Sequence, residues 1–259
     1  MINNISAKDN KNLKLVRQLK KKNGREDNHK FIIEGRKMVI EALEYAAEDI
    51  CCVVVSDEFC ARELQLVQNC DKVCGRVYCV PKSLFDELSD TDTPQGILAV
   101  MEQNTEEFVP DGDSSRILIL DGVSEPGNMG TIIRTAEAIG FDGIYLMKGC
   151  TDVYAPKTVR STMGSVFRVK LKNGCTAQSL EELKNMGFSL IATTPSGSIA
   201  LEGYKAPLKC AVIIGNEAHG VSDEVMAIAD TKIRITMGGM AESLNAAIAA
   251  GIVMHWLKK

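Results

Sequence analysis

Five apolar runs of strand length, at residues 116–121, 143–147, 188–193, 210–215 and 232–235, constrain the fold more tightly than any other feature of this chain. They show little alternation of polar and apolar residues, so each strand must be covered on both faces, as the strands of a parallel sheet are. Segments with helical spacing fall between them, around 128–139, 156–162, 179–186, 222–228 and 242–257. This alternation predicts an α/β fold in which a parallel sheet carries helices on both faces.

The N-terminal half is α/β too. Phe31-Ile-Ile-Glu-Gly reads as a strand ending in glycine, 50–55, 77–80 and 95–101 as further strands, and 36–47, 64–69 and 83–88 as helices. The acidic, turn-rich segment 102–115, with Pro110, Asp111 and Gly112, breaks the pattern. Two domains follow, 1–105 and 115–259, and 259 residues suffice for two modest cores.

Net charge is −4, which argues against a nucleic-acid partner only until its distribution is examined. Residues 1–37 hold eleven Lys/Arg against four Asp/Glu, a surplus of +7 that leaves −11 for the rest. A basic arm on an acidic body is either a solvated charged face or a surface that tracks phosphates. Lys14, Arg17, Lys20, Lys21, Lys22, Arg25 and Arg36 are its candidate RNA contacts.

Six of the nine cysteines lie between Cys51 and Cys79, yet no C-x-x-C pair occurs, and Cys51, Cys52 and Cys79 sit in apolar runs. Burial as small hydrophobes is the expectation, with no metal site. The apolar stretch 244–257 is shorter than the roughly 20 residues a membrane helix needs and contains His255, so no span is expected. The polar, lysine-rich N-terminus has no apolar signal core, which makes a cytoplasmic location the expectation.

Three segments carry candidate chemistry. In the first, Asp121-Gly-Val-Ser-Glu-Pro-Gly-Asn-Met-Gly-Thr-Ile-Ile-Arg, a turn leaves a strand and opens a helix. Asn128 at the helix start can cap it while Arg134 projects from the following turns. A cap and a surface ion pair would explain both residues equally well. The second, Val212-Ile-Ile-Gly-Asn-Glu-Ala-His-Gly-Val-Ser, runs a strand into a loop where Gly215 and Gly220 permit close backbone approach or positive φ. Glu217 falls where open α/β sheets bind ligands, whereas His219 reads as an ordinary exposed loop histidine. No G-x-G-x-x-G fingerprint is present, which speaks against a nucleotide-dependent dehydrogenase. In the third, Ser243-Leu-Asn-Ala-Ala-Ile-Ala-Ala-Gly-Ile, small residues allow close helix packing. Packing does not explain Ser243 and Asn245, two backbone-bonding polar residues at the head of the most apolar helix.

Taken together, segments 128–136, 214–222 and 243–252 resemble, in order and spacing, the three motifs of the SpoU/TrmH family of SPOUT RNA methyltransferases. More loosely, Phe31-Ile-Ile-Glu-Gly-Arg and Pro94-Gln-Gly-Ile-Leu-Ala-Val are similar to that family's ribosomal-protein-like RNA-binding domain. The resemblance implies a C-terminal SPOUT domain with a trefoil knot, a smaller N-terminal α/β RNA-binding domain, and a homodimer. It also implies S-adenosyl-L-methionine as cofactor, surrounded by Thr193, Thr194, Gly215, Ile235, Met237 and Leu244, with Gly215 making room for the approach. Ribose 2′-hydroxyls of structured RNA are the implied acceptor, which suits the group that distinguishes RNA from DNA. The first expectation is 23S rRNA and the second tRNA; a non-catalytic RNA-binding assembly factor is the alternative from another class. Arg134 is implied to act at the partner subunit's cofactor, as base or as orienting group, with Asn128, Glu217, Ser243 and Asn245 positioning it, the loop and the ribose. Thr236 stands where the family usually has proline, a departure expected to alter loop stiffness.

Overall fold

The computed structural model describes residues 2–104, 108–241 and 243–258. The chain forms two compact units: Met1–Thr105 with Asp152–Phe167, and Glu106–Thr151 with Arg168–Lys259.

In the first unit the elements run β1 (Asn3–Asn4), α1 (Lys11–Leu19), α2 (Lys22–Asn28), β2 (Lys30–Glu34), α3 (Arg36–Tyr45), β3 (Ile50–Ser56), α4 (Asp57–Arg62), α5 (Leu64–Cys74), β4 (Val77–Val80), α6 (Lys82–Leu88) and β5 (Ile97–Glu102). Their sheet has the order β1-β4-β3-β5-β2, with β5 antiparallel to both neighbours and the other pairs parallel. One face is covered by Leu13, Val16 and Leu19 of α1 and by Leu84, Phe85 and Leu88 of α6, packed on Ile32, Cys52, Val54, Leu98 and Val100. The basic arm is therefore two helices, the first carrying buried apolar residues at helical spacing. Cys52 and Cys70 are buried, and burial pushes their thiols, with that of Cys51, up to about 12, so none is a thiolate at neutral pH.

The second unit holds β6 (Ser115–Asp121), α7 (Pro126–Ile139) and β7 (Gly143–Met147). The chain then contributes α8 (Pro156–Thr162) to the first unit before returning with β8 (Leu171–Cys175), α9 (Ala177–Asn185), β9 (Ser189–Thr193), β10 (Ile199–Ala200), β11 (Lys209–Gly215), α10 (Asp223–Ile228), β12 (Thr231–Arg234) and α11 (Ala246–Trp256). Seven parallel strands are ordered β10-β12-β9-β11-β6-β7-β8. Ile117, Ile119, Ala211 and Ile213 pack on one side against Leu180, Leu183 and Val225 of α9 and α10. Alternate residues, Leu118, Leu120, Val212 and Ile214, are also buried and face the side of α7 and α11, so the runs are apolar throughout because both faces are covered.

Several sequence expectations shift. Residues 156–162 are helical, but they pack with the N-terminal unit rather than with the domain expected at 115–259. Arg25, expected to contact RNA, is buried: its guanidinium donates to Asp152 Oδ2 from Nη2 at 2.6 Å and from Nε at 2.8 Å, and to the carbonyl oxygens of Leu19 and Lys20. It caps the end of α1 and ties 152–167 into the first unit, where Phe31 and Tyr154 also meet ring to ring at 4.7 Å. A short helix, α4, and the strand β8 had no counterpart in the sequence reading, α4 because six residues carry little periodicity and β8 because Lys172, Asn173 and Gly174 interrupt it.

Candidate functional site

The carboxyl ends of β6, β9, β11 and β12 point the same way, and the irregular segments that follow β9, β11 and β12 meet around one cavity, as crevices do in open parallel sheets. At the end of β6, Asp121 Oδ2 accepts from Ser222 N at 2.7 Å, joining the first and second motifs. The second motif leaves β11 as a tight loop in which Asn216 and Gly220 exchange main-chain hydrogen bonds of 2.8 and 2.9 Å. Asn216 holds it: Oδ1 accepts from Ala218 N and His219 N, and Nδ2 donates to Gly122 O at 2.7 Å. A Cβ on Gly215 would lie 2.1 Å from Gly220 C and 2.2 Å from Val221 N. The room that glycine makes on its Cβ side is thus filled by its own loop.

Asn128 corrects a second expectation. Helix α7 starts at Pro126, and the cap is Glu125, whose Oε2 accepts from Asn128 N at 2.6 Å. Its side chain, freed from capping, bridges the motifs: Nδ2 donates to Glu217 Oε1 at 2.9 Å, and Oδ1 accepts from Asn245 Nδ2 at 3.0 Å. Asn245 is the cap of α11, its Oδ1 accepting from Ala247 N and Ile248 N, which starts that helix later than the expected 242. Glu217 Oε2 also accepts from Ser124 N and Oγ at 3.4 and 3.3 Å. Burial raises the Glu217 carboxyl, but the Asn128 amide and main-chain N–H groups outweigh it, holding it below the ordinary carboxylate value. One chain of hydrogen bonds therefore links residues brought from three distant parts of the sequence.

The cavity has a volume of about 640 Å3 and is lined by Thr193, Thr194, Gly215, Ile235, Met237 and Leu244, the six residues expected around a cofactor, and also by Glu217 and Ser243. Ile214, Val221, Met226 and Ala246 make part of it apolar. Arg234 Nη1 donates to Gly197 O at 2.7 Å and fixes the turn after β9. Thr236, in place of proline, donates to Glu202 Oε2 at 3.0 Å, so a hydrogen bond supplies restraint that a ring would have supplied. Arg134 is not among the lining residues. It is exposed on α7 and has no partner among the described residues.

In the basic arm Lys14, Lys21, Lys22 and Arg36 are exposed. Lys14 faces Asp9 at 3.4 Å and Lys22 faces Glu26 at 3.7 Å. Arg17 and Lys20 are half-buried and donate to the carbonyl oxygens of Lys8, and of Glu87 and Ser89. The residues that sequence reasoning missed are Ser124, Glu125, Asn216 and Arg234. Only Asn216, an Asx-type residue inside a glycine-bounded loop, carried a readable signal. Among the described residues, no group of His, Cys, Asp and Glu is placed to hold a metal ion, and no helix is long and apolar enough to cross a membrane.

Comparison with known proteins agrees with this geometry. The model of the SpoU rRNA Methylase family matches residues 115–255, and that of the MRM3-like substrate binding domain matches 10–99. The 23S rRNA (guanosine(2553)-2′-O)-methyltransferase RlmP of Bacillus subtilis is 31% identical over 255 residues, covering 98% of each chain. Among solved structures, an AdoMet-bound rRNA methyltransferase from Sinorhizobium meliloti is similar at a TM-score of 0.87 and 30% identity, over 98% of this chain and 97% of that one. The SpoU methyltransferase AviRb from Streptomyces viridochromogenes, in complex with AdoMet, is similar at 0.82 and 25% identity, over 95% and 97%. The chain belongs to the SpoU rRNA methylase family.

Proposed function

We propose that this protein transfers a methyl group from S-adenosylmethionine to a ribose 2′-hydroxyl of RNA, with 23S rRNA as the substrate and tRNA as the second reading. The observation that carries the proposal is the relay Asn245–Asn128–Glu217 at the rim of a cavity formed by the loops after β9, β11 and β12. An assembly factor without catalysis would have no use for a relay so fully satisfied. The choice of 23S rRNA follows the relative from Bacillus subtilis.

The cavity fits the cofactor. Ile235, Met237 and Leu244 lie in neither helix nor strand, so their main-chain N–H and C=O groups are not consumed by a ladder and can meet an adenine edge and a ribose. Ile214, Val221 and Met226 offer the apolar surface a base needs. The chemistry supplied by bound S-adenosylmethionine is an activated methyl group. Glu217, Asn128 and Asn245 tie the loop after β11, the first turn of α7 and the head of α11 together beside it, and Ser243 stands at the lining where a ribose hydroxyl would enter. Arg134 contacts that hydroxyl, as base or as the group that orients it; a guanidinium is a cation with donors only, so it needs help for the first role and none for the second.

A homodimer accounts for Arg134 lying away from its own cavity. On α11, Ile248, Ile252 and Trp256 are 57%, 39% and 48% exposed at a spacing of four residues, an apolar stripe on the helix that packs against α7. A second copy covering this stripe brings Arg134 to the partner's cofactor. The trefoil knot is part of the same reading, following family membership. The N-terminal unit supplies RNA binding through Lys14, Lys21, Lys22 and Arg36, and the protein works in the cytoplasm, where ribosomal RNA is found.

Transfer of labelled methyl from S-adenosylmethionine to a 23S rRNA transcript, followed by mapping of 2′-O-methyl positions, tests the proposal. Label on one ribose, lost in Arg134→Ala while cofactor binding persists, is expected; label on a base, or none, would overturn it.

A further inference from the structure

A second cavity, of about 410 Å3, opens in the first unit among the N-terminal ends of α3, α4 and α6 and the loop 94–96. Phe59 and Phe85, both fully buried, form its floor. Its wall is held closely. Gly35 and Gly96 adopt φ of 101° and 91°, and a Cβ on Gly96 would lie 2.6 Å from Ser56 Oγ and 2.9 Å from Phe59 Cβ, so the loop lies as near β3 and α4 as glycine allows. Gln95 Oε1 accepts from Arg36 N at 2.8 Å, which fixes the side chain and leaves its amide donors without a partner among the described residues. Behind it, the buried Glu34 accepts from Ser89 Oγ, Asp90 N and Thr91 Oγ1 and anchors the start of the loop.

The charges on the walls indicate what the cavity takes. Arg36 pairs with Glu63 at 3.1 Å and Lys82 with Asp86 at 3.2 Å, so four of six charges cancel. What remains is the Glu58 carboxylate, without a partner among the described residues, the Gln95 amide, and the Arg62 guanidinium, seated 5.6 Å over the Phe59 ring. A phosphate site would need uncompensated positive charge. An acceptor, an amide donor and a planar cation instead match an unpaired base, which presents donors and acceptors along one edge and stacks on an arginine plane. Guanine fits best, because its edge offers N–H groups to a carboxylate and O6 and N7 to donors.

We propose that this cavity receives one unpaired guanine of the RNA substrate and so helps to choose which RNA segment is presented for methylation. The inference rests on the RNA methyltransferase reading above and deepens it by naming a base-reading site separate from the lysines of the arm.

Filter binding of the full-length protein to a 23S rRNA transcript, without cofactor, provides the test. Glu58→Gln, Gln95→Ala and Arg62→Ala are each expected to weaken binding about 10-fold, the loss typical of one base-edge contact, with the salt dependence unchanged. Arg62→Lys, which keeps the charge and loses the plane, should be as weak as Arg62→Ala. Unchanged unfolding midpoints confirm that these exposed positions leave the fold intact, and footprinting should show one guanine protected by the wild type and released in the variants. Unchanged affinity, a shallower salt dependence that marks lost phosphate contacts, or a protected pyrimidine in place of guanine would each overturn the site. Binding is read without turnover. A wild type that binds through this cavity but transfers no methyl group therefore overturns the enzymatic reading alone, and one that binds neither this transcript nor tRNA overturns both.

Discussion

Asn128 Nδ2 lies 2.9 Å from Glu217 Oε1, so a residue of α7 and one of the loop after β11 share a hydrogen bond across 89 positions of sequence. The pair needs a donor facing a carboxylate. Asn128→Asp replaces that donor by a second negative charge and also disturbs the Asn245 contact. Methyl transfer should fall about 100-fold with the protein still folded, because small displacements of positioning groups forfeit most of their orienting value. Single-turnover transfer alongside thermal unfolding checks this, and unchanged transfer would remove Asn128 from the positioning set.

The same hydrogen bonds make acid a probe of the site. The Glu217 carboxyl lies below its ordinary value of 4.5 in the folded protein, so its stabilisation is complete above that value and is lost as pH falls through the lowered folded value. Glu217→Gln carries no such contribution. Unfolding midpoints followed from about pH 6 to about pH 3 should drop more steeply for the wild type than for the variant; parallel curves would count against the coupling.

Gly215→Ala tests the loop rather than the charge. The added methyl meets the main chain of Gly220 and Val221, which can move only by opening the loop. A loss of about 1–3 kcal/mol is expected, with cofactor affinity falling at the same time. Calorimetric titration with S-adenosylmethionine reads the second effect, and normal affinity in a destabilised variant would separate the loop from the ligand.

Arg25 and Lys21 neighbour each other in sequence yet should behave oppositely. Arg25→Ala strands Asp152 in a largely buried position and should cost about 3–5 kcal/mol. Lys21→Ala, exposed, should leave stability within about 0.5 kcal/mol and weaken RNA binding. Denaturant unfolding and RNA titration of the two variants separate the roles.

Ile252→Asp places a charge in the apolar stripe of α11. Light scattering should find the wild type to be the proposed dimer and the variant a monomer, with methyl transfer lost because Arg134 would no longer reach a partner's site. A variant that stays dimeric would move the interface elsewhere.

Elements with a strong local pattern could be read directly from the sequence: β7, an apolar run buried at all five residues, together with β4 and the helix at 156–162, falls at the residues expected. The six cavity residues were legible only through resemblance, since nothing in their side chains marks them as neighbours of one cavity. What stayed hidden depends on partners distant in the chain. Asn128 and Glu125 are both plausible caps locally, and only the position of Glu217 and Asn245 gives the amide another task. Arg25 looks like any other cation in a basic run until Asp152, 127 residues later, arrives beside it. The place of 152–167 in the first unit is likewise a matter of tertiary packing, on which local periodicity is silent.

Arg116, 5% exposed at the start of β6, donates from Nε to Leu257 O at 3.0 Å, just past the end of α11. During translation this guanidinium leaves the ribosome long before its acceptor. A nascent chain halted short of residue 257 leaves the guanidinium with the carbonyl oxygens of Leu208 and Ser115 but not with that of Leu257, and the helix headed by Asn245 then lacks its far anchor. The helix of the third motif is thus held at both ends only once residue 257 has emerged from the ribosome.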